Sequence, residues 1–386
     1  MRVQLYLGQE IVGKGFPAAV TVDGQGIHEQ RRGFLSAIPP SLNQAFEQWR
    51  NTYFALGGSP ARFRDLTRIQ AIASTVGGDP NAAVKQLRRE FNQWLLSGDE
   101  NWLKIRDCLI ESAVYHRQNP MATRVLLEVE DARLRRLPWR SWETFENRYA
   151  NAGFAFITHI ETPPPVQSQG VVKILVVLGN NIGIEAGTEA DIKTVEQLSS
   201  VGAVVKVLRQ PSPDLLAQTL RTQSFHIAVF TGHSRSEPNG SIGWLELNDN
   251  PDVTMARVTV DHLRENLMGT VQRGLQLCIF NSCDGLGLSN QFVQELRLPV
   301  AIIMREPVPD QVAVRFLQAF FEHFSIQNHS LFKAFQEARL ELEGFVRFPG
   351  VTWLPAIYTS SLSEPPSWNE LRGDSEVQRL PFLPAP

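Results

Sequence analysis

Between residues 171 and 361, short apolar runs alternate with stretches whose apolar positions recur at helical spacing. Residues 171–178, 203–208, 225–231, 275–282 and 300–304 have strand length, and several are apolar nearly throughout. Such runs predict strands covered on both faces, hence a mostly parallel sheet with helices as crossovers. Helical spacing fills 189–201, 212–222, 261–271, 288–296, 310–326 and 330–343, and further strands are expected at 241–247 and 352–358. In the helix from Asp310, Val312, Phe316, Phe320 and Phe324 recur at i, i+4, with Arg315, Gln318 and Glu322 opposite them. That is a wide core-facing arc.

The first 160 residues mix both periods. Strands are expected at 3–7 and 18–22 around a Gly-rich turn, and at 123–130 and 153–160. Helices are expected at 42–56, 81–96 and, after Leu137-Pro138-Trp139, at 142–149. Glu161-Thr162-Pro163-Pro164-Pro165 opens a polar, Pro-rich linker to Gly170. The organisation read from this is an N-terminal α+β region at 1–161, a linker at 162–170, a core at 171–361 and a Pro-rich tail at 362–386. The N-terminal region is expected to extend the core, with strands joining the same sheet. No repeat or low-complexity tract is visible.

Composition narrows the class. The chain has 386 residues, 43% of them hydrophobic, and a formal net charge of -3. That balance gives no global attraction to nucleic acid or anionic membrane. Its 3 Cys are too few for a disulfide framework and suit a reducing, cytoplasmic setting. Residues 1–7 alternate like a strand, without the apolar stretch of a signal peptide, and no window is long enough to span a bilayer directly.

Two apolar runs end in reactive residues. One ends Phe230-Thr231-Gly232-His233-Ser234, the other Phe280-Asn281-Ser282-Cys283-Asp284-Gly285. In open parallel sheets the ligand crevice lies at the C-terminal strand ends, so neighbouring strands would bring His233 and Cys283 together. A thiol is mostly protonated at neutral pH; an adjacent imidazole raises its thiolate fraction and serves as acid and base. The backbone N–H groups of Cys283 and Ser234 would face a developing oxyanion. Taken singly, a strand-end Cys is usually a small buried hydrophobe and a loop His is usually solvated. The order and spacing, His fifty residues before a Cys in an x-small-Cys-x-Gly setting, carry the stronger reading.

Asp284, Glu306 and Asp310 place carboxylates near the expected cleft, where a basic substrate side chain would find a pocket; Asp310 is equally readable as a helix N-cap. Cys278 and His226 read as core residues. No cofactor or metal is expected. Gly179, Gly183 and Gly187 do not form G-x-G-x-x-G, no phosphate-binding P-loop occurs, and no His or Cys set has ligand spacing.

From about residue 133 to 361 the chain resembles a CHAT domain, a branch of the caspase-like clan of cysteine peptidases. The stretches that carry the resemblance are Leu134-Arg135-Arg136-Leu137-Pro138-Trp139, the His233 and Cys283 blocks, and Met304-Arg305-Glu306-Pro307. Ser330-Leu331, Ala338-Arg339 and Trp353-Leu354-Pro355-Ala356 complete it. The segment from 133 to 161 belongs with this unit. The resemblance implies an α/β, caspase-like fold, His233 as general acid/base and Cys283 as nucleophile towards a protein or peptide substrate in a signalling setting. The N-terminal region is similar to the leader of cyanobacterial CHAT proteins, in some of which a membrane-bound CHASE-type sensor follows as a fused or associated domain. The clan usually places Gly directly after its His; here Ser234 stands there and Gly232 precedes. A catalytically silent CHAT module acting as a signalling or interaction scaffold is therefore the alternative. A flavodoxin-like ligand binder has the right sheet pattern but no phosphate loop.

Overall fold

Eleven described strands form one continuous sheet in the computed structural model, which describes residues 1–24, 26–56, 78–96, 99–118, 120–157, 170–236, 243–282 and 298–374. The strands are β1 (Arg2–Leu7), β2 (Phe16–Gly24), β3 (Ile27–Leu35), β4 (Arg124–Val129), β5 (Gly153–Ile157), β6 (Val172–Leu178), β7 (Ala203–Arg209), β8 (Ile227–Thr231), β12 (Leu277–Asn281), β13 (Val300–Met304) and β14 (Pro355–Thr359). Their order is β3-β2-β1-β4-β5-β14-β13-β12-β8-β6-β7. Pairing is parallel except at β1–β2, β2–β3 and β13–β14. A separate three-stranded sheet holds β9 (Ser234–Ser236), β10 (Gly243–Glu246) and β11 (Arg257–Thr259).

The central strands are buried on both faces, as their composition demands. Every residue of β12, β13 and β14 is buried. The described helices are α1 (Pro40–Ala55), α2 (Pro80–Leu96), α3 (Glu100–Gln118), α4 (Ala132–Arg136), α5 (Glu143–Arg148), α6 (Glu185–Glu196), α7 (Pro213–Thr222), α8 (Val253–Ala256), α9 (Val260–Gln272), α10 (Asp310–Phe321), α11 (Leu331–Glu341) and α12 (Trp368–Arg372). In α10, Val312, Phe316 and Phe320 are fully buried, and a π turn at Glu322–Ile326 brings Phe324 in behind them.

Three elements depart from the sequence pattern, each for a physical reason. Strand β3 pairs with β2 over nine positions although Ile27-His28-Glu29-Gln30-Arg31-Arg32 shows no apolar alternation. It is an edge strand, mostly half-buried or exposed, and an edge tolerates charge. Helix α3 buries Trp102, Ile105, Cys108, Leu109 and Ala113, but Ser112 and His116 share that stripe while Val114 and Tyr115 face outward. Its periodicity is diluted accordingly. Helix α12, inside the expected tail, starts with a capping box between Ser367 and Glu370 and ends at left-handed Gly373. Its buried Trp368 donates from Nε1 to the Val201 carbonyl at 3.1 Å. The expected helix at 288–296 and the linker from 162 to 169 lie outside the described residues.

The segment Leu134–Trp139 is locked to the core by Arg305. This buried guanidinium donates to the carbonyls of Arg135 (3.3 Å), Leu137 (2.9 Å) and Trp353. Burial lowers its pKa to about 10, so it still holds its charge at neutral pH.

Candidate active site

Strands β8 and β12 are hydrogen-bonded neighbours running parallel, with Thr231 opposite Asn281 at their C-terminal ends. His233 lies two residues beyond Thr231 and is 2% exposed. Its backbone N–H donates to the Asn180 carbonyl at 2.8 Å, and its carbonyl accepts from the Glu246 N–H at 3.0 Å. Asn180 N–H donates to the Glu246 carbonyl at 2.7 Å. The loop after β6, the His233 segment and β10 are thus stitched together around one backbone. Gly232 makes the bend possible: its φ is +140°, and a Cβ there would lie 2.9 Å from the Asn180 carbonyl oxygen.

The imidazole is oriented by the backbone. Nε2 of His233 lies 3.0 Å from the Ile182 carbonyl oxygen. A carbonyl only accepts, so Nε2 carries a proton, and Nδ1 is the nitrogen left to exchange one. Nδ1 is buried and has no hydrogen-bond partner among the described residues. Close by, the Glu185 carboxylate accepts the Gly183 N–H at 2.9 Å, which holds its pKa below the usual carboxylate range, and the His233 imidazole adds to that effect.

Two side-chain links cross between the strand ends. Ser234 Oγ donates to Ser282 Oγ at 2.8 Å, and both residues are buried. Asp191, on the core-facing side of α6 and 1% exposed, accepts from Thr231 Oγ1 at 2.6 Å and from Asn281 Nδ2 at 2.9 Å. Asn281 Nδ2 also reaches the Ala313 carbonyl at 3.2 Å.

The other expected residues fall as follows. Cys283 and Asp284 lie outside the described residues; Ser282, next to Cys283 in the chain, is the last described residue of its block. Ser234 begins β9, which pairs with β10. Glu306 is buried, with Arg50 Nε donating to Oε2 at 3.0 Å and Arg136 3.9 Å from Oε1, so its charge is met from within. Asp310 opens α10, with Pro309 as the N-cap, and its carboxylate packs so tightly against Gly187 that a Cβ there would fall within 2.2 Å. Cys278 is buried in β12, and burial pushes its thiol pKa up. His226 is a bonded core residue whose Nδ1 accepts the Lys173 N–H at 3.0 Å. Cys108 is buried near Glu29, and burial followed by that carboxylate pushes its thiol up to about 11. Among the described residues no cluster of His, Cys, Asp and Glu could hold a metal ion, and no helix is long and apolar enough to cross a membrane.

Ile182, Asp191, Asn281 and Ser282 were not legible as site residues. Ile182 acts through its carbonyl, which no side chain advertises. Asp191 did leave a signal: an acid among Gly187, Thr188, Ile192 and Val195, the buried face of its helix.

Residues 102–344, more than half of the chain, match the CHAT domain family. The chain belongs to that family. Among solved structures, the CHAT chain aligns with the separase–securin complex of Saccharomyces cerevisiae at a TM-score of 0.55 and 9% identity, over 93% of this chain and 30% of that one. It therefore spans less than a third of the separase chain. The Arg-specific cysteine proteinase gingipain R aligns at 0.44 and 9% identity over 68% of each chain. No curated protein matches the CHAT chain. Family and fold together make it an α/β protein of the caspase-like cysteine peptidase fold, with a large, mostly parallel central sheet flanked by helices.

Proposed function

We propose that this CHAT chain is a cysteine endopeptidase acting on protein substrates through a His233–Cys283 dyad. The observation that carries the reading is the state of His233. Its Nε2 proton is committed to the Ile182 carbonyl while Nδ1, buried and without a partner among the described residues, is left as a base at the end of the strand beside the one leading to Cys283. In the proposed step Nδ1 takes the Sγ proton as sulfur attacks the scissile carbonyl carbon. The N–H groups of Cys283 and Ser234 stabilise the oxyanion. The imidazolium then protonates the leaving amine, and water hydrolyses the thioester, returning the thiol. A basic substrate residue seeking Glu306 would have to displace Arg50. A cytoplasmic signalling role, with a membrane-bound sensor as fused or associated partner, belongs to the same reading and is supported by the resemblance of the N-terminal region alone.

The test is labelling with an electrophilic peptide probe. Cys283 is expected to label, Cys283→Ala to abolish labelling, and His233→Ala to slow it about a hundredfold or more. Cys108 and Cys278, buried and protonated, serve as internal controls. Labelling of Cys283 no faster than Cys108, unchanged by His233→Ala, would replace the peptidase with a signalling scaffold.

A further inference from the structure

A second cavity lies over the opposite half of the sheet from β8 and β12, where α3 packs on β2 and β3. It has a volume of about 550 Å³ and is bounded by α2, α3 and α5. Its charges are uneven. Arg106, Arg117 and Arg148 line it, against one carboxylate, Glu143. Arg106 and Arg117 share the face of α3 that also carries Ile110, since their spacings of four and seven residues return to one side of a helix.

None of the three guanidinium groups has a close carboxylate partner among the described residues. Among the described residues Arg106 reaches only its neighbour Asp107, at a long 3.5 Å, and its Nε is buried without an acceptor. Neither Arg117 nor Arg148 has a carboxylate within salt-bridge distance among the described residues, and both are exposed. With three guanidinium groups against one carboxylate, the lining carries a net positive charge that attracts an anion. The wall is held rigidly: Asn92 donates to the carbonyls of Arg88 (2.9 Å) and Ser141 (3.0 Å) and accepts the Glu143 N–H (2.8 Å). The remainder of the lining is mixed, Thr144 and Asn147 being polar and Leu96, Ile110 and Trp142 apolar. Trp142, stacked on Trp102 with ring centroids 6.0 Å apart, is buried behind this wall, Ile110 is half-buried, and Leu96 is 56% exposed at the rim.

We infer that this cavity binds a small anion bearing a phosphate on an apolar body. The guanidinium forks match phosphate geometry, and the Ile110–Leu96 side takes the apolar part. The site is independent of the His233–Cys283 reading, since it shares no residue with it.

Calorimetric titration of the full chain with phenyl phosphate, inorganic phosphate and sodium chloride at constant ionic strength tests it. Phenyl phosphate is expected to saturate one site and to bind about tenfold more tightly than inorganic phosphate, the ratio for roughly 60 Å² of apolar contact. Arg106→Gln and the exposed pair Arg117→Gln/Arg148→Gln should each weaken it about tenfold or more. Glu143→Gln should tighten it. The surface pair tests the proposal even where Arg106→Gln disturbs folding. No saturation by about 10 mM phenyl phosphate, a response matched by chloride, or affinity unchanged in the surface pair would overturn the proposal.

Discussion

Asp191 offers the sharpest check on how the strand ends are held. Its carboxylate is buried and accepts Thr231 Oγ1 at 2.6 Å and Asn281 Nδ2 at 2.9 Å, tying β8 to β12 beyond their backbone ladder. Asp191→Ala removes the acceptor shared by two buried donors. A hydrogen bond to a charged group is worth about 1.5–3 kcal/mol, so two of them give an expected loss of about 3–6 kcal/mol. Asp191→Asn keeps one acceptor but turns an NH2 towards a donor, and about half that loss is expected. Urea unfolding followed by circular dichroism reads the stability, and iodoacetamide labelling of Cys283 reads the strand ends. Asp191→Asn should stay folded and yet label more slowly than the native chain. An Asp191→Ala protein within about 0.5 kcal/mol of native, labelling at the native rate, would refute the idea that this carboxylate positions the strand ends.

Two further outcomes follow from the geometry. Gly232→Ala places a Cβ 2.9 Å from the Asn180 carbonyl at a φ of +140°, so a loss of about 1–3 kcal/mol in urea unfolding is expected, together with slower Cys283 labelling; a native midpoint would show that the bend is not strained. His116 is buried against Tyr149, and burial lowers its pKa, so the unfolded chain takes up the proton first. Its contribution is therefore complete above the unfolded value of about 6.5 and lost as pH falls through the lower folded value. His329 is shifted the same way, so the check is a comparison: His116→Gln should flatten, without abolishing, the fall in stability between pH 7 and 5, and an unchanged slope would remove His116 from the account.

The legible part of the site was the part written in side chains at strand ends. His233 and Cys283 close apolar runs, and a run apolar on both faces has few places to go except the middle of a parallel sheet. Glu306 reads as an acid near the cleft, but its ion pair with Arg50 joins residues 256 positions apart, and no local pattern encodes such a partner. Strand β3 and helix α3 escaped for a related reason: each packs on the other, with Gly33 so close to Asn101 and Trp102 that a Cβ would sit 2.8–2.9 Å from their backbone. Each relieves the other of the need for a clean hydrophobic period.

Local pattern by itself determined the sheet strands from β6 to β14, the strand β10, the helices α6, α7, α9, α10 and α11, and the mostly parallel arrangement. Hydrophobic burial is short-ranged in sequence and leaves its period there. Tertiary structure alone decided the order in which the N-terminal strands join that sheet, β3-β2-β1-β4-β5 meeting the core at β14, that the Ile182 carbonyl holds the His233 Nε2 proton, and that Asp191 bridges Thr231 and Asn281. Those depend on which backbone groups and buried donors meet across the fold, and a hydrogen bond between distant residues has no periodicity from which it can be read.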